Sequence, residues 1–181
     1  AVTTQFRQDM TLDIEATSKH CEALIASGVS GLIMAGSLGE KQTLDPSEKR
    51  TLISEIVKMA SGRVPVLSGV AEMSTAAACQ YVRDCEKLGA NGFMVMPAMV
   101  YKAEGAEAMN HFRKVAAATN LPWMLYNNPV GYPVDITPAQ FSQLANIPNL
   151  VALKESSANT RRITELRIEV GDRYSIFVGV D

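Results

Sequence analysis

Short apolar runs alternate with longer segments of helical period along almost the whole chain. Strands that are apolar on both faces are typical of a parallel sheet covered by helices, whereas half-exposed antiparallel strands alternate polar and apolar residues. Seven runs have this apolar character and predict strands at residues 2–6, 31–35, 64–69, 92–96, 123–127, 150–154 and 174–178. The pattern therefore predicts a parallel sheet built from βα units.

The segments between the strands predict six helices. Asp45-Pro46 and Thr137-Pro138 each supply an N-cap residue followed by proline in the first turn, and Gly89 ends the third helix. The predicted helices cover residues 13–27, 46–60, 74–88, 105–119 (with Glu104 or Gly105 leading), 138–145 and 159–170. Strand starts recur about every 30 residues, as expected of a repeated βα unit.

Two parallel architectures fit this alternation, the doubly wound open sheet and the (β/α)8 TIM barrel. Nucleotide-binding doubly wound folds usually place a glycine-rich turn after the first strand, and residues 3–9 contain no glycine. The barrel is therefore favoured. Six βα units and a seventh strand fall short of eight, so we expect one incomplete barrel domain over residues 1–181, cut from a longer chain.

Composition and charge exclude several classes of protein. Of the 181 residues 47% are hydrophobic and 20% charged, and the net charge of -2 leaves no basic footprint for nucleic acid or anionic lipid. No apolar run approaches the roughly 20 residues that span a bilayer. We expect a cytoplasmic protein without nucleic-acid or membrane partners.

Cysteine and histidine usage gives no sign of disulfides or metal. Cys21, Cys79 and Cys85 are an odd number in helical segments, which favours small buried side chains in a reducing compartment. His20 and His111 lie far apart without partners at ligand spacing. We expect no metal and no cofactor.

Lys154 is the most informative polar residue, because it closes an apolar strand where the strand ends of a barrel converge. Loss of hydration there favours the neutral amine, which can attack a carbonyl and form a Schiff base. The alternative is a lysine that reaches solvent or pairs with Glu155. Tyr126 ends the preceding strand and could shuttle protons for Lys154, or simply fill the top of the barrel.

A second candidate element follows the strand at residues 31–35. The turn Gly36-Ser37-Leu38-Gly39-Glu40 offers exposed backbone amides and a hydroxyl, which together suit a substrate carboxylate. Glycines at a strand end are also ordinary turn formers. Both interpretations stay open on these residues alone.

The motifs, taken in order and spacing, resemble the dihydrodipicolinate synthase and N-acetylneuraminate lyase family over essentially the whole chain. The residues that carry this resemblance are Gly36 to Glu40, Thr43-Leu44 with Glu48-Lys49-Arg50, Val66 to Gly69, Tyr126-Asn127-Asn128-Pro129, and Leu153-Lys154-Glu155-Ser156-Ser157. The resemblance implies a class I, Schiff-base-forming (β/α)8 barrel that acts on 2-oxo acids and is usually a tetramer.

The same resemblance implies individual roles. Lys154 would form the imine and Tyr126 would transfer protons. Ser37 with the amide of Leu38 would hold the substrate carboxylate, and Gly179 would contact substrate through its backbone.

Three departures from the founding synthase narrow the expected function. The synthase usually has threonine in place of Leu38, tyrosine near Met99, and arginine in place of Gly131. Without the arginine no charge is evident for a second, carboxylate-bearing substrate. The segment from Asn128 to Tyr132 also differs from the sugar-binding loop of the sialic acid lyases.

The remaining motif combination resembles the branch that deaminates 1-pyrroline-4-hydroxy-2-carboxylate to 2-oxoglutarate semialdehyde in hydroxyproline breakdown. In that reaction Asn128 is a candidate for recognising the substrate hydroxyl, or it satisfies its own turn. The alternatives are dihydrodipicolinate synthase or another pyruvate-dependent aldolase, and a non-catalytic barrel fragment that binds a small carboxylate. A nucleotide-binding domain would rest on the glycine turn alone.

Overall fold

The computed structural model describes residues 1–179. The chain divides into two compact units, one of Ala1–Val70 with Tyr81–Met94 and the other of Ala71–Gln80 with Val95 onward. Within residues 1–179 strands and helices alternate. The strands are β1 (Leu32–Met34), β2 (Val66–Val70), β3 (Gly92–Val95), β4 (Trp123–Asn127), β5 (Leu150–Glu155) and β6 (Ser175–Val178). The helices are α1 (Ile14–Ala26), α2 (Pro46–Ala60), α3 (Thr75–Lys87), α4 (Gly105–Ala116), α5 (Pro138–Ser142) and α6 (Arg161–Val170).

The strands lie in one sheet in chain order, β1-β2-β3-β4-β5-β6. β1 pairs parallel with β2, β4 with β5, and β5 with β6. Parallel neighbours joined through helices confirm the predicted βα class, that of the (β/α)8 barrel.

The helix starts follow local side-chain chemistry. The Asp45 carboxylate accepts the backbone N–H of Glu48, the Glu48 carboxylate accepts that of Asp45, and Pro46 occupies the first turn of α2. Asp13 caps α1 by accepting the Ala16 N–H at 2.9 Å. These bonds satisfy backbone donors that have no partner inside a helix.

The predicted strand at residues 2–6 is wrong. Phe6 makes only an isolated antiparallel bridge, to Leu12. The Val2 N–H does donate to the Ile33 carbonyl of β1 at 2.9 Å, but the Gln5 N–H donates to the Thr17 hydroxyl at 3.0 Å. A side chain thus takes a donor that a strand ladder would need.

The fifth helix is shorter than predicted. Beyond Ser142 the Leu144 N–H bonds to the Phe141 carbonyl at 3.0 Å, and the Ala145 N–H to the Ser142 carbonyl at 3.1 Å. These three-residue spacings replace the four-residue spacing of an α-helix, so α5 ends in tightened turns.

Each unit has its own apolar core. In the first, Leu52, Ile53 and Ile56 of α2 are fully buried. In the second, the rings of Phe112 and Trp123 stack with centroids 6.2 Å apart. Burial of each such side chain stabilises the fold by about 1.5–3 kcal/mol.

The buried cysteines behave as expected. Cys21 and Cys85 have no exposed surface, and burial raises the pKa of each thiol to about 11. Cys79 is half-buried. The neutral thiols of Cys21 and Cys85 act as small apolar side chains.

Candidate active site

Tyr126 and Lys154 lie side by side at the carboxyl ends of β4 and β5. They are register partners in the parallel pair, and the Lys154 Nζ lies 4.3 Å from the centroid of the Tyr126 ring. Tyr126 is buried and Lys154 is half-buried. The Lys154 amine therefore lies over the phenol ring of Tyr126, and the sequence predicts this proximity for adjacent strand ends.

Glu155 is not the partner of Lys154. Its Oε2 accepts the Asn127 side-chain N–H at 3.0 Å, and its Oε1 accepts the Ser157 backbone N–H at 2.6 Å. Successive side chains of a strand point to opposite faces, so Glu155 faces away from the amine. Within residues 1–179 no carboxylate is at salt-bridge distance from Lys154 Nζ.

Asn128 contacts the phenol directly. Its Nδ2 donates to the Tyr126 hydroxyl oxygen at 3.0 Å, and its Oδ1 accepts the Gly131 backbone N–H at 3.0 Å. The Tyr132 ring packs edge-on against the Tyr126 ring at 6.1 Å. The loop after β4 thus surrounds the phenol with polar and aromatic partners.

A polar network lies on the opposite face of the two strand ends. The Asn127 Nδ2 donates to Glu155 and also to Asp135 at 3.1 Å, while its Oδ1 accepts the Ile136 N–H at 2.9 Å. Asn127 is buried, with 1% of its surface exposed. A single amide therefore ties β4 to β5 and to the loop that precedes α5.

Arg162 of α6 completes this network. Its guanidinium donates to both carboxylate oxygens of Asp135, at 2.9 and 2.8 Å, and to the Ile136 carbonyl at 2.9 Å. The bond from Arg162 holds the pKa of the Asp135 carboxyl below its ordinary value. Two parallel hydrogen bonds between a guanidinium and a carboxylate fix the orientation of Arg162 and Asp135 relative to each other.

Sequence reasoning missed the role of this network. Asn127 and Glu155 lie in recognised motifs, but the motifs alone do not show which residues bond to each other or that Arg162 joins them. The available signal is their position, since Asn127 and Glu155 follow Tyr126 and Lys154 by one residue and must face the other side.

Gly179 follows β6 and approaches β5 closely. Its N–H donates to the Glu155 carbonyl at 2.9 Å, and a Cβ at this position would collide with the Ser156 hydroxyl oxygen. The position therefore requires glycine for space. A role for its backbone in substrate binding stays a prediction.

Ser37 and Leu38 belong to the first unit, where residues 36–40 form a compact turn. The Gly39 N–H bonds to the Gly36 carbonyl at 3.1 Å, and the Glu40 N–H to the Ser37 carbonyl at 3.2 Å. The Leu38 side chain is 69% exposed. The proximity of Ser37 and Leu38 to Lys154 stays a prediction from the sequence.

Over residues 1–179 we find no cluster of three or more His, Cys, Asp and Glu side chains suited to a metal ion. The same residues include no helix with the length and apolar character needed to cross a membrane.

The family model for the dihydrodipicolinate synthetase family matches residues 1–181. The chain belongs to this family. Among curated members, the 4-hydroxy-tetrahydrodipicolinate synthases of Desulforudis audaxviator and Desulforamulus reducens are 35% and 32% identical to it. Each match covers 100% of this chain and 62% of the relative, so the chain spans less than two thirds of their length.

Solved structures of dihydrodipicolinate synthases agree with this fold. The enzyme DapA-2 of Bacillus anthracis superposes with a TM-score of 0.95 at 29% identity, over 100% of this chain and 62% of that one. The Acinetobacter baumannii enzyme, complexed with pyruvate, superposes with a TM-score of 0.94 at 27% identity, over 99% and 62%.

In this member of the dihydrodipicolinate synthetase family, two of the three positions that differ from the founding synthase, Leu38 and Gly131, have different environments. Leu38 projects from an exposed turn. Gly131 lies directly against the Asn128 side chain, where it leaves room for the amide that bonds to Tyr126.

Proposed function

We propose that the protein is a lysine Schiff-base lyase for a small 2-oxo or imino acid, with Lys154 as the nucleophile. The observation that supports this most directly is the Lys154 amine 4.3 Å from the Tyr126 ring on the neighbouring strand. A relative that binds pyruvate, a 2-oxo acid, agrees with this substrate class.

The chemistry needs an amine and a proton carrier. The Lys154 amine attacks C2 of the 2-oxo acid, the carbonyl electron pair moves to oxygen, and a proton passes from nitrogen to that oxygen. The Tyr126 phenol then protonates the departing hydroxyl, so that water leaves and the iminium forms. The phenolate recovers its proton in a later step.

The proposed substrate is 1-pyrroline-4-hydroxy-2-carboxylate. The Lys154 amine attacks C2 of the cyclic imine, and the ring nitrogen takes up a proton as its bond to C2 breaks. A proton leaves C3 of the resulting iminium, and the enamine so formed expels the C4 hydroxyl, which departs as water with a proton that Tyr126 relays. Proton shifts from C5 to C3 and from the terminal nitrogen to C4 then convert the terminal amine into an imine. Two waters are then consumed to free the 2-oxo group and to release ammonia, so the net reaction adds one water and forms 2-oxoglutarate semialdehyde.

The residue at position 131 supports the deaminase over the synthase reaction. The synthase joins two carboxylate-bearing compounds, and Gly131 provides no charge for the second of them where the founding synthase has arginine. The family resemblance implies that Ser37 and the Leu38 amide hold the substrate's own carboxylate, and that Gly179 contacts the substrate through its backbone.

A pyruvate-dependent synthase reaction is the second candidate, because the curated relatives are named as synthases. The family resemblance further supports a homotetramer as the working form.

Borohydride trapping tests the proposal. Reduction in the presence of pyruvate, or of the pyrroline acid, is expected to add the mass of the reduced substrate to a peptide that contains Lys154. Lys154→Ala should lose the adduct and all turnover. The matched control is Lys102→Ala, which removes an exposed lysine from the same unit.

Turnover with each of the two substrates distinguishes the deaminase from the synthase reaction. Ammonia release from the pyrroline acid supports the deaminase, and turnover with pyruvate plus an aldehyde supports the synthase or another aldolase. Turnover retained in a folded Lys154→Ala variant contradicts the proposal. No adduct on a folded wild-type protein also contradicts it and favours simple carboxylate binding.

A further inference from the structure

We infer that Asn128 and Gly131 act together as positioning residues for the Tyr126 hydroxyl. This inference rests on the proposed function, in which Tyr126 transfers protons. Its basis is a short chain of contacts in the loop after β4, where the Gly131 N–H bonds to Asn128 and Asn128 bonds to Tyr126.

The orientation of the Asn128 carboxamide follows from its neighbours. A backbone N–H can only donate, so the atom of Asn128 that lies 3.0 Å from the Gly131 nitrogen must be the oxygen. The amide nitrogen then faces the Tyr126 hydroxyl at 3.0 Å. Asn128 therefore donates to the phenol oxygen.

This direction of donation orients the phenol proton. An amide N–H occupies one side of the phenol oxygen, so the O–H must turn away from Asn128. Among residues 1–179 the Tyr126 hydroxyl has no second hydrogen-bond partner. Its proton is left available for the substrate while the ring lies beside the Lys154 amine.

Gly131 is required for space rather than for backbone freedom. Its φ is not positive, in contrast to the φ angles of Gly28, Gly62, Gly89 and Gly171. A Cβ on Gly131 would lie 2.8 Å from the Asn128 Nδ2 and 3.3 Å from its Cγ. Any side chain here would push the amide away from the phenol.

Asn128→Asp is the sharpest test, because it preserves shape but reverses one hydrogen bond. The carboxylate still accepts the Gly131 N–H and so preserves the turn, yet it cannot donate to Tyr126 and instead attracts the phenol proton. We expect kcat to fall by about tenfold or more, with KM changed less than about twofold. The trapped Lys154 adduct should reach the wild-type end point more slowly.

Gly131→Ala should produce the same loss of kcat. In a protein that already carries Asn128→Ala, adding Gly131→Ala should not lower kcat further, because both substitutions remove the same contact between residue 128 and Tyr126. Val130→Ala is the control, since this exposed side chain lies on the same loop. Thermal unfolding of each variant is measured alongside.

The outcomes separate this inference from the proposed function. If the wild-type protein forms the adduct and turns over, and Asn128→Asp has the same kcat, the positioning role alone is overturned. A fall in kcat matched by an equal loss of folded protein overturns it too, since the role is then structural. Absence of any adduct in the wild type overturns both.

Discussion

Consecutive residues at the ends of β4 and β5 point to opposite faces of the sheet and have different roles. Tyr126 and Lys154 share one face of the sheet, where amine and ring meet. Asn127 and Glu155, one position further along each strand, share the other face and bond to each other. The alternation of a strand therefore separates the proposed chemistry from the contacts that hold it in place.

Asn127→Ala should destabilise the second unit. It leaves the buried Ile136 N–H without its acceptor and removes a donor from Glu155, and a buried unsatisfied group costs about 1–3 kcal/mol. Urea unfolding should show a lower midpoint at an unchanged slope. The exposed Asn146→Ala is the control, and equal midpoints for the two variants would contradict this assignment.

Helices and strands obtain their limits from different sources. α1 and α2 begin where a carboxylate caps the first turn, at Asp13 and Asp45. The end of α5 and the absence of a strand at residues 2–6 depend instead on turns and on a distant hydroxyl, that of Thr17. Local caps therefore set these two starts and local turns end α5, whereas a tertiary partner prevents the strand at residues 2–6.

Asp13→Ala should weaken α1. The variant loses the acceptor for the Ala16 N–H, and loss of such a cap costs about 1 kcal/mol. Asp13→Asn retains a side-chain oxygen at the cap and should stay within a few tenths of a kcal/mol of wild type. Thermal or urea unfolding checks this, and equal losses in the two variants would show that charge rather than capping matters.

Stability of the folded chain should depend on pH through two groups of the second unit. His111 is buried between Thr75 and the Met96 carbonyl, and burial lowers its pKa from the ordinary 6.5. The bond from Arg162 lowers the pKa of Asp135 from 3.8. Both groups bind protons more readily in the unfolded chain, so both favour folding above their ordinary pKa values.

The free energy of unfolding should therefore decrease as the pH falls below about 6.5 and decrease further below about 4. His111→Gln should flatten the first decrease. Asp135→Asn should reduce the second, to which Asp45 and Glu22 also contribute because hydrogen bonds lower the pKa of each. Urea unfolding across this pH range measures both slopes. A first decrease of wild-type size in His111→Gln would assign it to other groups.

Much of the fold was readable from the amino-acid pattern because its signals are local. Apolar runs located the six strands within residues 1–179, caps located the helix starts, and the position of Lys154 at the end of an apolar strand singled it out. Adjacent parallel strands also place Tyr126 beside Lys154. Each of these inferences needs only periodicity and near neighbours in the chain.

The hydrogen-bond partners could be read only from the folded chain. Arg162 reaches Asp135 across 27 positions, and Asn127 reaches Glu155 across 28. Periodicity shows which face a residue occupies but not what it meets there. Asn128 shows the same limit at short range, because the direction of its bond to Tyr126, two residues away, depends on how the loop closes on Gly131. Register and loop closure bring distant atoms within 3 Å, and no local pattern encodes them.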